Sequence, residues 1–278
     1  FVPAPGFSEY KAALEASRIP VRDIYYRPRE DEHGKPYFEV PYLALETFAA
    51  ELKGQDGRII VFLGNPNNPD GTLLDKNHIL TIASMLKDAN SLLVIDESFI
   101  DFVGNDTLQD NEYSMRSLVN EFDNIIVVHS FTKFYAVPGL RIGAAFSNPL
   151  IIEQLNSFIP TWSVNTLAQS YTEAALNDVE YVKRTKQVLH EEQLFMYNSL
   201  DTLDGITVYP PSANFMLFHI EQEGITAESI NEALKKHNMI VRNCDSYMGL
   251  NNQWVRVAIK DHDTNVKLVE KLTDILKV

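Results

Sequence analysis

The stretch that decides the fold is His129-Ser130-Phe131-Thr132-Lys133-Phe134-Tyr135-Ala136-Val137-Pro138-Gly139-Leu140-Arg141. It follows the apolar run Ile125-Ile126-Val127-Val128, which predicts a buried strand. A lysine just beyond a core strand, with two hydroxyl residues before it and an arginine after it, can form an imine with an aldehyde cofactor. The hydroxyls and the guanidinium can bind that cofactor's phosphate. The stretch therefore predicts a site for a phosphorylated aldehyde cofactor.

Polar residues also follow two other predicted strands. Val94-Ile95-Asp96-Glu97 ends a strand with a carboxylate, which pyridoxal 5′-phosphate (PLP) requires beside its ring nitrogen. Asn68 follows the strand predicted at 58–63, in a loop rich in Asn, Pro and Gly, where its amide can donate to a ligand oxygen. Taken alone, each of these residues has an ordinary interpretation as a turn, helix-cap or surface residue. Their occurrence together with the lysine stretch favours a PLP site.

The order of predicted elements indicates an α/β protein. Strands predicted at 58–63, 92–95, 125–128 and 141–146 alternate with helices such as 76–89, for which Asp75 is a suitable N-cap. This alternation is typical of a mostly parallel sheet sandwiched by helices, with sites at the strand ends. A long helix over 166–200 is predicted to lead into a smaller C-terminal α+β domain. We therefore predict a large PLP-binding domain over residues 1–180 and a small domain over residues 181–278.

Composition argues against several classes of partner. The 278 residues include 24 Lys and Arg and 38 Asp and Glu, so the net charge of −14 disfavours nucleic acid and anionic membranes as partners. No apolar run is long enough to span a bilayer, and no signal peptide is expected. Cys244 is the one cysteine, so no intrachain disulfide can form, and a cytoplasmic protein is expected. The histidines show no metal-binding spacing, so no metal site is predicted.

Two arginines lie on predicted apolar strands near the C-terminus, in Val241-Arg242-Asn243 and Trp254-Val255-Arg256-Val257. Each could pair with a surface acid at a sheet edge, which is an ordinary role for arginine. Arginine is also the residue suited to bidentate contacts with carboxylate or phosphate. Two of them suggest a substrate with two anionic groups, and both interpretations stay open on the residues alone. Cys244 is interpreted as a small buried hydrophobe and not as a nucleophile.

From Pro5-Gly6-Phe7-Ser8-Glu9-Tyr10 to Arg256, nearly its whole length, the sequence resembles the PLP-dependent aminotransferases of fold type I. Within that family it resembles histidinol-phosphate aminotransferase and threonine-phosphate decarboxylase, an enzyme of cobalamin synthesis. The resemblance implies an enzyme with a PLP cofactor and a small amino-acid phosphate as substrate. It also implies a homodimer with the site near the subunit interface.

Three features of the sequence favour the decarboxylase branch. The stretch from Thr132 to Arg141 is similar to the decarboxylase's lysine motif, whereas the aminotransferases usually have a Ser-Lys-Ala-Phe type of segment. Phe99 stands where the aminotransferases carry a tyrosine that hydrogen-bonds the PLP hydroxyl. Trp162-Ser163-Val164-Asn165 is also similar to a decarboxylase segment. The predicted function is therefore a PLP-dependent lyase acting on L-threonine O-3-phosphate, and the alternative is a histidinol-phosphate type of aminotransferase.

A third function, from another class, is a non-catalytic PLP-binding regulatory domain. Such proteins usually carry a DNA-binding segment, and this acidic chain shows none.

The resemblance also implies roles for individual residues. Lys133 matches the lysine that binds PLP covalently, and Asp96 matches the partner of the ring nitrogen. The other matched cofactor contacts are the ring-stacking Phe7, the 3-hydroxyl ligand Asn68, and the phosphate ligands Ser130, Thr132 and Arg141. Arg256 matches the arginine for the substrate carboxylate, and Arg242 matches the arginine for the substrate phosphate.

The sequence departs from the family at its N-terminal end. Relatives normally have several dozen residues before the Pro-Gly-Phe segment. That portion includes a Gly-rich turn that binds the PLP phosphate and a residue that reaches into the partner subunit's site. The sequence begins at Phe1, so we expect that this portion is missing from it.

Overall fold

The central sheet of the computed structural model contains the apolar runs that the sequence predicts as strands. Its strands are β5 (Ile60–Gly64), β6 (Leu92–Asp96), β7 (Ile125–Ser130) and β8 (Gly143–Phe146), in that spatial order. The first three are parallel, and β8 pairs antiparallel with β7. The parallel strands bury most of their side chains, as a sheet covered on both faces requires. The structure describes residues 1–52, 58–104 and 111–277.

Helices pack against the central sheet in the positions that the alternating pattern predicts. α3 (Lys76–Asp88) packs on β6, and α2 (Tyr42–Leu52) packs on α3. The side chain of Asp75 accepts a hydrogen bond from the His78 backbone N–H, so the predicted N-cap of α3 is confirmed. The predicted α/β fold class, a mostly parallel sheet sandwiched by helices, is confirmed as well, with β8 as the antiparallel strand of the sheet.

The N-terminal segment lies beside β5 and carries a helix whose first turn faces the strand ends. The Phe62 N–H donates to the Phe1 carbonyl at 2.9 Å, which fixes the start of the segment along the central sheet. Its elements are β1 (Val2–Ala4), α1 (Ser8–Ala16), β2 (Asp23–Tyr25), β3 (Arg27–Glu30) and β4 (Pro36–Glu39). β1 and β2 form a parallel pair joined through α1, and β3 and β4 form a hairpin.

A second, antiparallel sheet lies in the C-terminal part of the chain. This C-terminal sheet has the spatial order β11-β12-β10-β9, with β9 (Ile206–Val208), β10 (Phe215–Ile220), β11 (Arg242–Asn243) and β12 (Trp254–Ala258). The helices of this half are α5 (Pro149–Phe158), α6 (Thr166–Leu176), α7 (Val179–Asp201), α8 (Ala227–Lys235) and α9 (His262–Leu276). Apolar side chains of α7, α8 and α9 pack with those of this sheet in one core cluster. None of the helices in the described part of the chain is long and apolar enough to cross a membrane.

Two predicted elements differ from the structure. The single long helix predicted over 166–200 is two helices, α6 and α7, because Asp178 caps a new helix by accepting a hydrogen bond from the Tyr181 N–H. The strand predicted to begin at Arg141 begins at Gly143, because Arg141 has a left-handed backbone with φ of 51°. The division into domains at residue 180 stays a prediction.

Candidate active site

Asp96 is the last residue of β6, and both of its carboxylate oxygens are held. The Tyr10 hydroxyl donates to Oδ2 at 2.7 Å, and the Ser98 N–H donates to Oδ1 at 2.9 Å. Burial raises the pKa of Tyr10 well above its ordinary value, and the nearby Asp96 raises it further, so the hydroxyl stays a donor. The carboxylate at the end of the strand therefore has a fixed orientation.

Tyr10 is a site residue that the sequence analysis missed. It lies in the first turn of α1, three residues after Phe7, so both rings fall on one face of the helix start. The two rings meet edge to face with their centroids 5.5 Å apart, and Tyr10 also stacks on Phe62 of β5. The signal that could have identified it is this spacing of two aromatics behind the Pro-Gly turn.

Lys133 lies in the short helix α4 (Phe131–Phe134), directly after β7. Its Nζ lies 5.3 Å from the centroid of the Phe99 ring. Partial burial lowers the pKa of Lys133, the Arg141 cation lowers it further, and the Asp96 carboxylate opposes both effects. A lowered pKa increases the fraction of neutral amine, which is the form that attacks a carbonyl carbon.

Two hydroxyls and a guanidinium surround the junction between β7 and β8. Ser130 caps α4, and its Oγ lies 2.7 Å from the Oγ1 of Thr132. Gly143 pairs with Ser130 across the two strands, which brings Arg141 to the same end of the sheet. A Cβ at Gly143 would come within 2.5 Å of the His129 carbonyl, so only glycine permits this approach. The predicted phosphate ligands therefore lie at one strand end.

Asn68 joins the loop after β5 to the C-terminal sheet. Its Oδ1 accepts hydrogen bonds from the Arg256 guanidinium and from the Tyr247 hydroxyl, the latter at 3.1 Å. With the oxygen occupied by these donors, the amide nitrogen can donate to a ligand, which is the function predicted for Asn68. The same loop is anchored near Phe7, because the Asn67 amide donates to the Pro5 carbonyl at 3.0 Å.

The two predicted substrate arginines face each other across β11 and β12. The Arg256 guanidinium lies 5.3 Å from the Phe215 ring centroid, and Phe215 packs edge to face on Phe99 with centroids 5.1 Å apart. Phe99 in turn contacts Lys133, so a continuous set of side chains connects the lysine with the arginines. In the described residues neither Arg242 nor Arg256 forms an ion pair with a carboxylate, which disfavours the surface-pair interpretation.

Buried polar residues lie directly beside the strand-end residues Asp96 and Ser130 in the chain and form contacts in the protein interior. The Glu97 carboxylate accepts from the Ser114 hydroxyl and the Met115 N–H, each at 2.6 Å. His129, directly before Ser130, is buried with its Nε2 2.9 Å from Asp101. His129 therefore lies inside the protein, behind the site.

Phe7 is partly exposed to solvent, whereas Cys244 is buried. The Phe7 ring is 41% exposed and lines a cavity of about 420 Å³ together with Tyr247 and Gly249. Cys244 is buried, and burial raises the pKa of its thiol to about 11, so it is not a reactive nucleophile. This agrees with its interpretation as a buried hydrophobe.

The functional groups at the strand ends fit PLP. One carboxylate, one lysine with a lowered pKa, one arginine, a pair of hydroxyls and a half-exposed aromatic ring converge there, and each is a group that this cofactor uses. The structure brings Asp96, Lys133, Ser130, Thr132 and Arg141 to one end of the central sheet. Asn68, in the loop after β5, joins this end to Arg256 of the C-terminal sheet, where Arg242 lies opposite Arg256. The roles of the individual residues stay predictions.

Comparison with known proteins agrees with this arrangement. The sequence model of the family "Aminotransferase class I and II" matches residues 1–272. The chain is 33% identical over 278 residues to the threonine-phosphate decarboxylase of Salmonella typhimurium, covering 98% of the chain and 69% of that protein. It is 31% identical over 275 residues to the adenosylcobalamin biosynthesis bifunctional protein CobDQ of Leptospira interrogans, covering 99% of the chain and 30% of that protein.

Aminotransferases match at a similar level. The chain is 31% identical over 218 residues to the histidinol-phosphate aminotransferase of Methanosphaera stadtmanae, covering 78% of the chain and 56% of that protein. The chain thus spans only about a third to two thirds of the length of these relatives.

Solved structures match over almost the whole chain. The histidinol-phosphate aminotransferase of Clostridium acetobutylicum superposes with a TM-score of 0.86 at 25% identity, covering 99% of this chain and 77% of that one. The L-threonine-O-3-phosphate decarboxylase of Porphyromonas gingivalis gives 0.79 at 24% identity, covering 100% and 76%. The match to the family confirms the prediction that the cofactor is PLP. From the match over residues 1–272 and the fold, the chain belongs to the aminotransferase class I and II family.

Proposed function

We propose that this PLP-dependent member of the family removes the carboxylate of L-threonine O-3-phosphate as CO2. The product would be aminopropanol phosphate, which serves cobalamin side-chain synthesis. The observation that carries the proposal is Phe99, whose ring lies against Lys133 where the aminotransferases that the chain resembles carry a tyrosine. Phenylalanine has no polar atom, so it cannot donate the hydrogen bond that the tyrosine gives to the cofactor hydroxyl.

The residues at the end of the central sheet are suited to the cofactor's part of the reaction. When bound, PLP accepts the electron pair released at the substrate's Cα. Asp96, held by Tyr10 and by the Ser98 N–H, keeps a proton on the ring nitrogen. Lys133 would bind the cofactor's aldehyde carbon and could carry a proton to or from the substrate. Phe7 would stack on the cofactor ring.

The arginines of the C-terminal sheet would choose which bond breaks. Arg256 binds one anionic group of the substrate and Arg242 binds the other, so the two contacts fix how the Cα substituents stand relative to the cofactor ring. Contacts that place the carboxylate for cleavage would favour loss of CO2, with a proton replacing it on Cα. Contacts that place the Cα–H bond for cleavage would favour transamination.

The relatives include both a threonine-phosphate decarboxylase and a histidinol-phosphate aminotransferase at similar identity, so an experiment must distinguish the two reactions. The test uses the full-length protein with phosphothreonine and no keto acid, and it measures CO2 release. We expect CO2 release, and little or no glutamate from histidinol phosphate plus 2-oxoglutarate. A clear glutamate signal without CO2 release would contradict the proposal and favour the aminotransferase. The Lys133→Ala protein is the blank for both assays.

We also propose that the full-length protein is a homodimer. Large apolar side chains are exposed between α5 and the start of α6, where Trp162 is 94%, Phe158 84% and Leu167 75% exposed. Exposed apolar surface of this kind is commonly covered by a partner. Asn165 of the same segment donates to the Leu140 carbonyl, beside Arg141, so a partner on this surface would lie near the site. Sedimentation of the full-length protein as an active monomer would contradict the proposal.

A further inference from the structure

The pairing of two arginines across β11 and β12 is not explained by the stability of the fold. Arg242 and Arg256 are directly opposite in the antiparallel register, so their side chains leave the same face of the sheet. Like charges in this arrangement destabilise a sheet. No carboxylate of the described residues pairs with either of them. Both guanidinium groups are therefore available to bind the anionic groups of a ligand.

Tyr247 contacts both arginines. The Cζ of Arg242 lies 5.6 Å from the centroid of the Tyr247 ring, a cation–π distance. The Tyr247 hydroxyl accepts from Nη1 of Arg256 at 3.3 Å and donates to the Oδ1 of Asn68 at 3.1 Å. One side chain therefore orients one guanidinium through its ring face and the other through its hydroxyl.

The backbone and the neighbours of Tyr247 hold it in this position. Its N–H donates to the Cys244 carbonyl and its carbonyl accepts from the Leu250 N–H, both at 3.0 Å. The preceding residue, Ser246, accepts from Nη2 of Arg242 at 2.8 Å, which restrains that guanidinium from a second side. Tyr247 and Ser246 also line the 420 Å³ cavity that reaches Phe7.

We propose that Tyr247 is a positioning residue that sets the separation of the Arg242 and Arg256 guanidinium groups, and with it the length of the substrate. Opposed residues on antiparallel strands have Cα atoms about 5 Å apart. Both guanidinium groups also lie against the same Tyr247 side chain, Arg242 at 5.6 Å from its ring centroid and Arg256 at 3.3 Å from its hydroxyl. Two anions held by this pair must therefore lie a short distance apart, as the carboxylate and phosphate of phosphoserine and phosphothreonine do. Phosphotyrosine, whose phosphate lies beyond an aromatic ring, is too long. The inference rests on the proposed function for its substrate class.

The experiment compares ligand binding by variants of the full-length holoenzyme. Binding is followed by the change in cofactor absorbance on addition of phosphothreonine, phosphoserine or phosphotyrosine, so it does not require turnover. Tyr247→Phe keeps the ring and removes the hydroxyl, and Tyr247→Leu removes both. The matched control is Tyr37→Phe, a half-exposed tyrosine of β4 outside the site.

We expect Tyr247→Phe to weaken phosphothreonine binding roughly fivefold to tenfold, because one hydrogen bond to a charged group is lost. KM should rise by a similar factor, with a much smaller change in kcat, whereas a general loss of structure would lower cofactor content and kcat together. Tyr247→Leu should also reduce the preference for phosphothreonine over phosphotyrosine. The control should bind as the parent does.

Two results would overturn the inference. One is a Tyr247→Phe protein with unchanged affinity for phosphothreonine, and the other is a Tyr247→Leu protein that keeps the full preference against phosphotyrosine. These results are independent of the proposed reaction. If the parent binds phosphothreonine tightly but releases no CO2, the decarboxylase proposal fails while the role of Tyr247 is still measured.

Discussion

The cofactor side and the substrate side of the site are held by different kinds of structure. On the cofactor side, Asp96 and Ser130 end neighbouring parallel strands, so the ladder of backbone hydrogen bonds fixes their separation. On the substrate side, Arg242 lies on the two-residue edge strand β11 and Arg256 on its neighbour β12, and contacts with Tyr247, Ser246 and Asn68 orient their guanidinium groups. We infer that the positions of the cofactor-binding residues depend on the backbone of the central sheet, while the positions of the substrate-binding guanidinium groups depend on contacts between a few side chains.

The surroundings of the two sides also differ, because the cofactor side adjoins a buried polar residue and the substrate side adjoins an open cavity. Below the cofactor side, the buried Glu97 accepts two short hydrogen bonds, and burial raises the pKa of its carboxyl while those bonds oppose the rise. The substrate side has an open cavity beside it instead. Substitutions of the groups that contact the cofactor should therefore have the largest effects, and substitutions of supporting side chains or of the substrate side should have smaller, graded effects.

The largest effect is expected on the cofactor side, at Lys133. Lys133→Ala removes the amine that binds the cofactor, so turnover and the borohydride-reducible yellow absorbance should both disappear. Lys133→Arg is the matched variant, because it keeps a cation over Phe99 but cannot form the imine, and it should fail in the same way. A borohydride-reducible adduct that persists in either variant would show that another residue binds the cofactor.

A smaller but still large effect is expected at Asp96. Asp96→Asn keeps the size of the side chain and can still accept from Tyr10, but it cannot hold a proton on the ring nitrogen. We expect kcat to fall about 10²-fold or more, by analogy with the loss of a preorganised electrostatic contact. Asp201→Asn, at the exposed end of α7, is the control. Near-normal turnover in Asp96→Asn would exclude the proposed role.

On the substrate side, Arg256→Lys should separate binding from chemistry. Lysine keeps the charge but loses the planar fork that binds a carboxylate through two hydrogen bonds. We expect KM for phosphothreonine to rise about tenfold, the loss of one charge-assisted bond, while the cofactor absorbance stays normal. Arg29→Lys, which alters an exposed ion pair with Glu39, is the control. Loss of the cofactor from Arg256→Lys would contradict the division into two sides.

The smallest effect is expected at Tyr10, which supports the cofactor side through a single hydrogen bond. Tyr10→Phe removes the 2.7 Å bond to Asp96 and keeps the ring that packs on Phe62 and Phe7. Because one hydrogen bond contributes about 1 kcal/mol, kcat should fall roughly fivefold. Steady-state kinetics at cofactor saturation measures this. An unchanged kcat would mean that the Ser98 N–H and the strand alone orient Asp96.

Much of the cofactor side could be predicted from the sequence, because each of its residues follows an apolar run that has few alternatives to a buried strand. Asp96, Ser130 and Lys133 lie where the strand ends place them. Tyr10 was missed because its partner Asp96 is distant in the chain. The spacing of Phe7 and Tyr10 could have marked it as a site aromatic, but this spacing does not reveal the hydrogen bond to the end of β6. The break between α6 and α7 was missed because Asn177-Asp178 competes with the helix through side-chain hydrogen bonding.

The substrate side was less accessible to sequence reasoning. The sequence showed two arginines on apolar strands, but an anion site and a surface ion pair both remained open. The register of β11 and β12, which places the arginines opposite each other, depends on tertiary packing and not on local propensity. Tyr247 lies in a loop between these strands and was not distinguished from other surface aromatics, because its contacts to Arg256 and Asn68 are visible only in the folded chain.

The measurement that tests the central claim most directly is the position of the cofactor on the chain. The full-length holoenzyme is reduced with borohydride and digested, and its peptides are analysed by mass spectrometry for the added phosphopyridoxyl group. The account predicts this group on Lys133, the residue whose Nζ lies 5.3 Å from the centroid of the Phe99 ring. The group on any other lysine, or on none, would contradict it.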